Sequence, residues 1–292
     1  MIAVRLEGRL GNQLFQYAFI YSTAKKLNTR FYIDKSVIDF VLPTYFTIKT
    51  DQFNLLDRYI FSIKGFKNVF TYYLKRLFYN KLHLIIHLKK KNYQQLYLDP
   101  QTVLSRLENN VNYQGYFQSP SYFVGYEDYI RNAFTVRATY KTAFERKYAA
   151  LYAQYEIVCV HIRRADYLKL ANLNLGGDDL SLPLNYYHKA ISSVAGKNIH
   201  FVFIGDDRQY IIEKFKNVSN KTIADESEII DFQHLLNADQ CIISNSTFSW
   251  WGAWLNNKPH KIIYAPKFFL GWQVNKEVPK EIYPDAWVQI DF

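Results

Sequence analysis

Glu156-Ile157-Val158-Cys159-Val160-His161-Ile162-Arg163-Arg164-Ala165-Asp166-Tyr167 is the stretch that decides the fold. Residues 156–162 are almost continuously apolar and rich in β-branched side chains, which suits a strand buried on both faces, as in parallel sheets. The run then breaks into two arginines and an acid. Forward of it, residues 199–204 read as the next strand, closed by Gly205-Asp206-Asp207 and a helix through Phe215. Residues 229–236 read as helix, 240–244 as strand, 248–255 as helix and 261–264 as strand. Pro183, tolerated in a first helical turn, precedes a helix over 186–194. Strands and helices alternating at such short intervals predict a parallel sheet covered on both faces, with ligands taken beyond the carboxyl ends of its strands.

Backward of it the pattern is less regular. Residues 1–6 read as a first strand, Gly8-Arg9-Leu10-Gly11-Asn12 as a glycine turn, and 13–27 as a helix with Leu14, Phe15, Ala18, Phe19 and Tyr21 at helical spacing. Residues 30–34 follow as a second strand, so the chain opens as a β-α-β unit. From 50 to 150 the periodicity is helical but blurred. Two domains are expected, 1–150 and 151–292, because 292 residues that are 49% apolar can fill two ordinary cores. The same figures exclude a disordered chain and a disulfide-stapled miniprotein.

No apolar run approaches the roughly 18 uncharged residues of a spanning helix, and residues 1–6 are too short for the apolar centre of a secretory signal. A cytoplasmic protein is expected. Cys159 and Cys241 agree with a reducing compartment and read as buried core residues, since no Cys-x-x-Cys or Cys/His cluster accompanies them. The net charge is +10, and Arg58, Lys64, Lys67, Lys75, Arg76, Lys81, Lys89, Lys90 and Lys91 supply nine of it with no intervening acid. Aromatic residues interleave with them. A solvated helical face and an interfacial segment on anionic lipid both fit this pattern. Nucleic acid is not expected as a partner, because no recognition motif accompanies the charge.

Three polar clusters fall at the predicted strand ends. In the first, a strand-like exit sends Arg163 and Arg164 to opposite sides, so one faces the crevice with His161 while the other pairs with a carboxylate. A guanidinium fork there suits phosphate, although a structural ion-pair cluster would use the same residues. In the second, Gly205 lets backbone approach a ligand, and Asp206 or Asp207 accepts from a ribose hydroxyl or caps the next helix. A metal is not expected, since no third oxygen ligand accompanies the two acids. The third, Ser244-Asn245-Ser246-Thr247-Phe248-Ser249, opens a helix whose hydroxyls and free amides form a phosphate site. Asp231, on the preceding helix, either reaches the crevice or is an ordinary solvated acid. Together these predict a diphosphate site beside a nucleoside pocket, closed by the Gly11-Asn12 turn. There is neither a dinucleotide fingerprint nor a Gly-Lys-Ser/Thr phosphate loop, so hydride transfer and ATP hydrolysis lose support.

Gly8-Arg9-Leu10-Gly11-Asn12-Gln13-Leu14-Phe15-Gln16-Tyr17-Ala18, His161-Ile162-Arg163-Arg164-Ala165-Asp166-Tyr167, Phe203-Ile204-Gly205-Asp206-Asp207 and Ser244-Asn245-Ser246-Thr247-Phe248-Ser249-Trp250-Trp251-Gly252 resemble, in this order, the bacterial α-1,2-fucosyltransferases of glycosyltransferase family 11. The resemblance implies a GT-B architecture, an α/β fold of two Rossmann-like domains facing a cleft, with the acceptor side in 1–150 and the GDP-sugar in 151–292. It implies GDP-β-L-fucose as donor, inversion, no cofactor or metal, and transfer to the 2-hydroxyl of a terminal galactose. Within it Arg163 resembles the arginine that holds the donor diphosphate, and His161 the histidine beside the nucleotide. Asp231 resembles a guanine-binding aspartate of related fucosyltransferases, Ser246 and Thr247 their phosphate-contacting hydroxyls, and Gly11 and Asn12 a turn near the fucosyl-diphosphate. Asp206 and Asn245 join the expected donor site. Residues 35–150 depart from the family pattern.

The leaving GDP gains negative charge, so Arg163 and the helix terminus at Ser246 and Thr247 should carry catalysis. Asp166, the nearest motif carboxylate, is the candidate general base, with orienting Arg164 as its other reading. A galactose-terminated glycan, such as an O-antigen unit, is the expected acceptor, free or lipid-linked. The basic stretch ending at Lys91 is then a candidate contact with the inner membrane surface. Another linkage, such as α-1,6, and a non-catalytic sugar-nucleotide or glycan-binding module are the alternatives.

Overall fold

Residues 1–48, 69–95 and 97–292 are described by the computed structural model. The chain divides into two units, Met1–Thr135 and Val136–Phe292. In the first, β1 (Ile2–Arg5), α1 (Leu10–Lys26), β2 (Phe31–Asp34), α2 (Leu42–Tyr45), α3 (Val69–Ile85), β3 (Lys89–Asn92), α4 (Pro100–Leu104), β4 (Val111–Gln114) and α5 (Glu127–Ala133) follow in chain order. The strands pair in the order β2-β1-β4-β3, all parallel. Alternation along β2 assigns the covering helices. Phe31 packs edge-on against Tyr17 and Tyr21 of α1, while Tyr32 and Asp34 meet Tyr79 and His83 of α3.

The expected turn at Gly11-Asn12 is helix instead, because α1 starts three residues earlier than its apolar spacing indicates. Gly8 makes the turn at φ +75°, where a Cβ would lie 2.1 Å from the Asn12 side chain. Gln13 and Gln16 sit buried in α1 and are satisfied by loop backbone: Gln13 donates to Asp39 and accepts from Val41, and Gln16 donates to Gly115 and accepts from Glu7. Of the blurred region, part is strand. β3 is Lys89-Lys90-Lys91-Asn92, with no apolar alternation to betray it, and it forms an edge of the sheet.

The second unit contains α6 (Ala138–Gln154), β5 (Glu156–Ile162), α7 (Leu184–Ser192), β6 (Ile199–Gly205), α8 (Arg208–Lys214), β7 (Lys221–Ile223), α9 (Glu228–Asn237), β8 (Gln240–Ile242), α10 (Thr247–Leu255), β9 (Ile262–Pro266) and β10 (Val288–Ile290). Its sheet runs β10-β9-β8-β5-β6-β7, again all parallel. From β5 the chain winds outward through β6 and β7, then returns to the other side for β8. The switch point therefore lies between β5 and β8, where such sheets open a crevice. The expected boundary near residue 150 falls inside α6. That helix belongs here because its buried side is held by α9: the Tyr152 hydroxyl meets His234 Nδ1 at 2.8 Å, and Gln233 donates to the Tyr140 carbonyl at 2.9 Å.

The core of this unit is built from β5, β6 and α7, with Val158, Val160, Ile162, Tyr186, Tyr187, Phe203 and Phe215 all within 2% of full burial. Each such aliphatic or aromatic side chain contributes about 1.5–3 kcal/mol through lost water contact. Cys159 and Cys241 are register partners in β5 and β8, both free and wholly buried, and burial pushes the Cys241 thiol up to about 12. Trp250 and Trp251 of α10 are also fully buried, and Trp250 Nε1 donates to the Ile282 carbonyl at 2.7 Å. Among the described residues no helix is long and apolar enough to cross a membrane.

Candidate active site

Strand register brings the three predicted clusters together. Ile162 of β5 lies opposite Gly205 of β6, so the next residues out, Arg163 and Asp206, then Arg164 and Asp207, emerge side by side. The ion pairs follow that register: Arg163 Nη1 to Asp206 at 2.9 Å and Arg164 Nε to Asp207 at 3.3 Å. Gly205 is required for this close approach, since a Cβ there would stand 2.4 Å from the Ile162 carbonyl oxygen. On the other side, Val160 lies opposite Ile242 of β8. His161 and Ser244 consequently meet past the strand end, with Nδ1 2.8 Å from the Ser244 hydroxyl.

The two arginines differ in their surroundings. Arg164 is fully used by structure: its guanidinium stacks 3.9 Å above the Tyr210 ring and donates to Asp207 and Ser181. Asp207 in turn caps α8 by accepting from the Tyr210 amide at 3.0 Å. Arg163 is gripped by two carboxylates, Asp206 and Asp166, and lies 5.5 Å from the Tyr167 ring. Its Nε is buried with no hydrogen-bond partner. Asp206 is anchored further, since its Oδ1 accepts from the Arg164 amide at 2.9 Å. Asp166, on a short turn and half exposed, has the more easily displaced carboxylate of the two.

His161 is buried, and burial, reinforced by the Arg163 charge, pushes its pKa down to about 3. It is a neutral imidazole at ordinary pH, and its ring packs 5.4 Å from Phe248. Ser246 occupies the N-cap of α10 yet makes no side-chain capping bond, and the first turn of that helix carries no acid. Its hydroxyl and the first amides of α10 therefore present the positive end of a helix dipole, the arrangement that accepts phosphate. Thr247 starts the helix beside it, half buried. Asn245 lies beneath rather than on this surface: it is wholly buried and donates to the Leu180 carbonyl at 2.8 Å, fixing the loop that follows β5.

Asp231 stands in the first turn of α9. Burial, then the charges of Glu226, Asp225 and Glu228, push its pKa up to about 7, and one carboxylate oxygen is buried without a partner. Asp231 is therefore not an ordinary solvated helix acid. Phe232, its neighbour, meets Phe248 edge-on at 5.3 Å, which links this acid to the His161 wall through one aromatic. Gly11 and Asn12 lie in the other unit. Gly11 is buried in the first turn of α1, and the Asn12 side-chain Oδ1 accepts from Gln118 Nε2 at 2.9 Å. Sequence reasoning missed Tyr167, whose hydroxyl donates to the Asn245 carbonyl at 2.9 Å and ties the loop after β5 to the start of α10. It also missed Tyr210. The only signal for either was an aromatic close to an arginine motif. Among the described residues no three His, Cys, Asp or Glu side chains are grouped to hold a metal ion.

The profile of the family described as Glycosyl transferase family 11 matches residues 1–291. The chain belongs to glycosyltransferase family 11. This family-11 chain is 30% identical to an O-antigen biosynthesis glycosyltransferase, WbnK, of Escherichia coli, over 98% of this chain and 99% of that one. It is 28% identical to an alpha-1,2-colitosyltransferase of Escherichia coli, over 100% and 99% of the two chains. In structure it is similar to the fucosyltransferase NodZ from Bradyrhizobium, with a TM-score of 0.50 at 14% identity, covering 86% of this chain and 91% of that one. The likeness bears out the GT-B-like α/β fold class. The family-11 protein is a glycosyltransferase.

Proposed function

We propose that this glycosyltransferase moves L-fucose from GDP-β-L-fucose to the 2-hydroxyl of a terminal galactose, inverting the anomeric carbon to give an α-1,2 linkage. The observation that carries the reading is that Arg163, neutral His161 and the uncapped start of α10 follow the carboxyl ends of the paired strands β5 and β8, where His161 meets Ser244. That set suits a diphosphate, and Asp231 suits the N1–H and amino donors of guanine. The relative named for α-1,2 transfer supports the linkage, and the O-antigen relative supports a glycan acceptor.

In this mechanism the diphosphate takes over the Arg163 fork from Asp166. The guanidinium, the Ser246 hydroxyl and the α10 amides then stabilise charge on the departing GDP; one such preorganised donor is worth about 100- to 1000-fold in rate. Asp166, released from Arg163, becomes the carboxylate that accepts the proton of the acceptor hydroxyl. Asp206 keeps Arg163 aimed, and Asn245 holds the loop. Thr247 adds a hydroxyl to the phosphate. No metal takes part.

Incubation with GDP-fucose and a β-galactoside-terminated acceptor, followed by linkage analysis, tests the reading. A 2-substituted galactose is expected. A 6-substituted sugar, or donor binding without GDP release, would replace it with another linkage or a non-catalytic module. The colitosyl relative favours one further reading, in which the same linkage is made from a more deoxygenated GDP-sugar. Competition between GDP-fucose and GDP-colitose for one acceptor separates the two.

A further inference from the structure

We propose that the outer face of α3 is a docking surface for an anionic lipid bilayer. The helix is already committed to the sheet by its inner face, where Phe78, Tyr79 and Leu82, with Ile86 just beyond its end, pack with Ala3 and Tyr32. A helix held that way normally turns charged residues to water. Here the opposite side presents Leu74, Leu77, Leu84 and Ile85, exposed by 42%, 55%, 75% and 74%. Leu77 and Leu84, a heptad apart, fall within about 20° of one another around the axis, so the apolar residues form a stripe and not a scatter.

Charge accompanies this stripe on the same helix and the strand after it. Arg76, Lys81, Lys89 and Lys90 are all exposed, and no acid occurs between positions 58 and 91. Lys75 and Lys91 are paired, with Asp39 at 2.6 Å and Glu108 at 3.0 Å. Arg58, Lys64 and Lys67 lie outside the described residues. The lysines of β3 have a plain structural use, since charge on an edge strand blocks pairing with another chain. That use does not account for four exposed aliphatic side chains on α3. Aliphatic residues with Lys81 among them, its long stem able to carry the ammonium up to the headgroups, and Arg76, Lys89 and Lys90 beside them match an acyl layer beneath anionic headgroups. A second copy of this chain fits less well, because the same positive charge would face itself. Nucleic acid fits least, because a phosphate backbone offers nothing to four exposed aliphatic side chains.

Co-sedimentation of the full chain with vesicles of phosphatidylcholine, and of phosphatidylcholine mixed with phosphatidylglycerol, tests this. Binding should favour the anionic vesicles by tenfold or more and weaken in high salt. Arg76→Ala and Lys81→Ala should each lower it by about fivefold. Leu77→Gln with Leu84→Gln should abolish it, as should Leu74→Gln with Ile85→Gln; both pairs point away from the core, so melting temperature should hold. Equal binding to both vesicles, binding to neither, or unchanged binding by folded double variants would overturn the proposal. So would a concentration-dependent dimer that the leucine substitutions dissolve.

Discussion

Asp231→Asn should stabilise the protein while weakening its hold on GDP. The carboxyl is raised from its ordinary 3.8 to about 7 by burial and by Glu226, Asp225 and Glu228. A raised carboxyl costs nothing below 3.8, where folded and unfolded chains are both protonated. The cost grows as pH rises, because the unfolded chain ionises first, and it is complete above about 7. Three pKa units set a ceiling of about 4 kcal/mol, and partial solvent access reduces the expected gain for neutral asparagine to about 1–3 kcal/mol at pH 8. Near pH 5.5 the gain should be roughly half as large, and near pH 3.5 it should vanish. The same substitution swaps one of two acceptors for a donor against the guanine edge, a loss of about 10- to 100-fold in GDP affinity. Urea unfolding at the three pH values and calorimetric titration with GDP read both effects. A variant less stable at pH 8, or equally stabilised at every pH, would refute the electrostatic account. Unchanged GDP affinity would refute the guanine assignment.

Arg163→Lys should lower kcat/KM by at least about 100-fold with circular dichroism unchanged, since an ammonium cannot reproduce the fork that now spans Asp166 and Asp206. Asp166→Asn should flatten the acidic limb of the kcat/KM profile if the released carboxylate is the base; an unaltered limb removes it from that role. Gly205→Ala should destabilise by about 2–4 kcal/mol in urea, because its Cβ meets the rigid carbonyl of Ile162. Wild-type stability in that variant would show that β5 and β6 can separate without cost.

The second half was legible because buried parallel strands leave continuous apolar runs. Residues 156–162 and 199–205 lie where those runs place them, and strand register then carries Arg163 and Arg164 to Asp206 and Asp207. What the sequence could not convey was how these charges divide. Adjacent arginines look alike on the page, yet one is sealed onto Tyr210 and the other holds two carboxylates around a buried, unpartnered Nε. Asn245, grouped with two hydroxyls in its motif, proved to be a loop anchor, because only tertiary contact with Leu180 distinguishes a buried amide from an exposed one. The boundary near 150 missed α6 because a largely polar helix with two buried aromatics, Phe144 and Tyr148, gives little hint of which core it joins. Likewise β3, four residues with three lysines, is strand only because β4 offers it an edge.

The central claim is that the β5/β8 crevice of the second unit is a guanosine-diphosphate site organised by Arg163. Calorimetric titration of GDP and GMP into the wild type and Arg163→Ala tests it most directly. The wild type should prefer GDP by about tenfold or more, in keeping with a charge-assisted fork on the second phosphate, and the variant should bind the two alike. Equal affinity in the wild type, or a preference that survives loss of the guanidinium, would contradict the account.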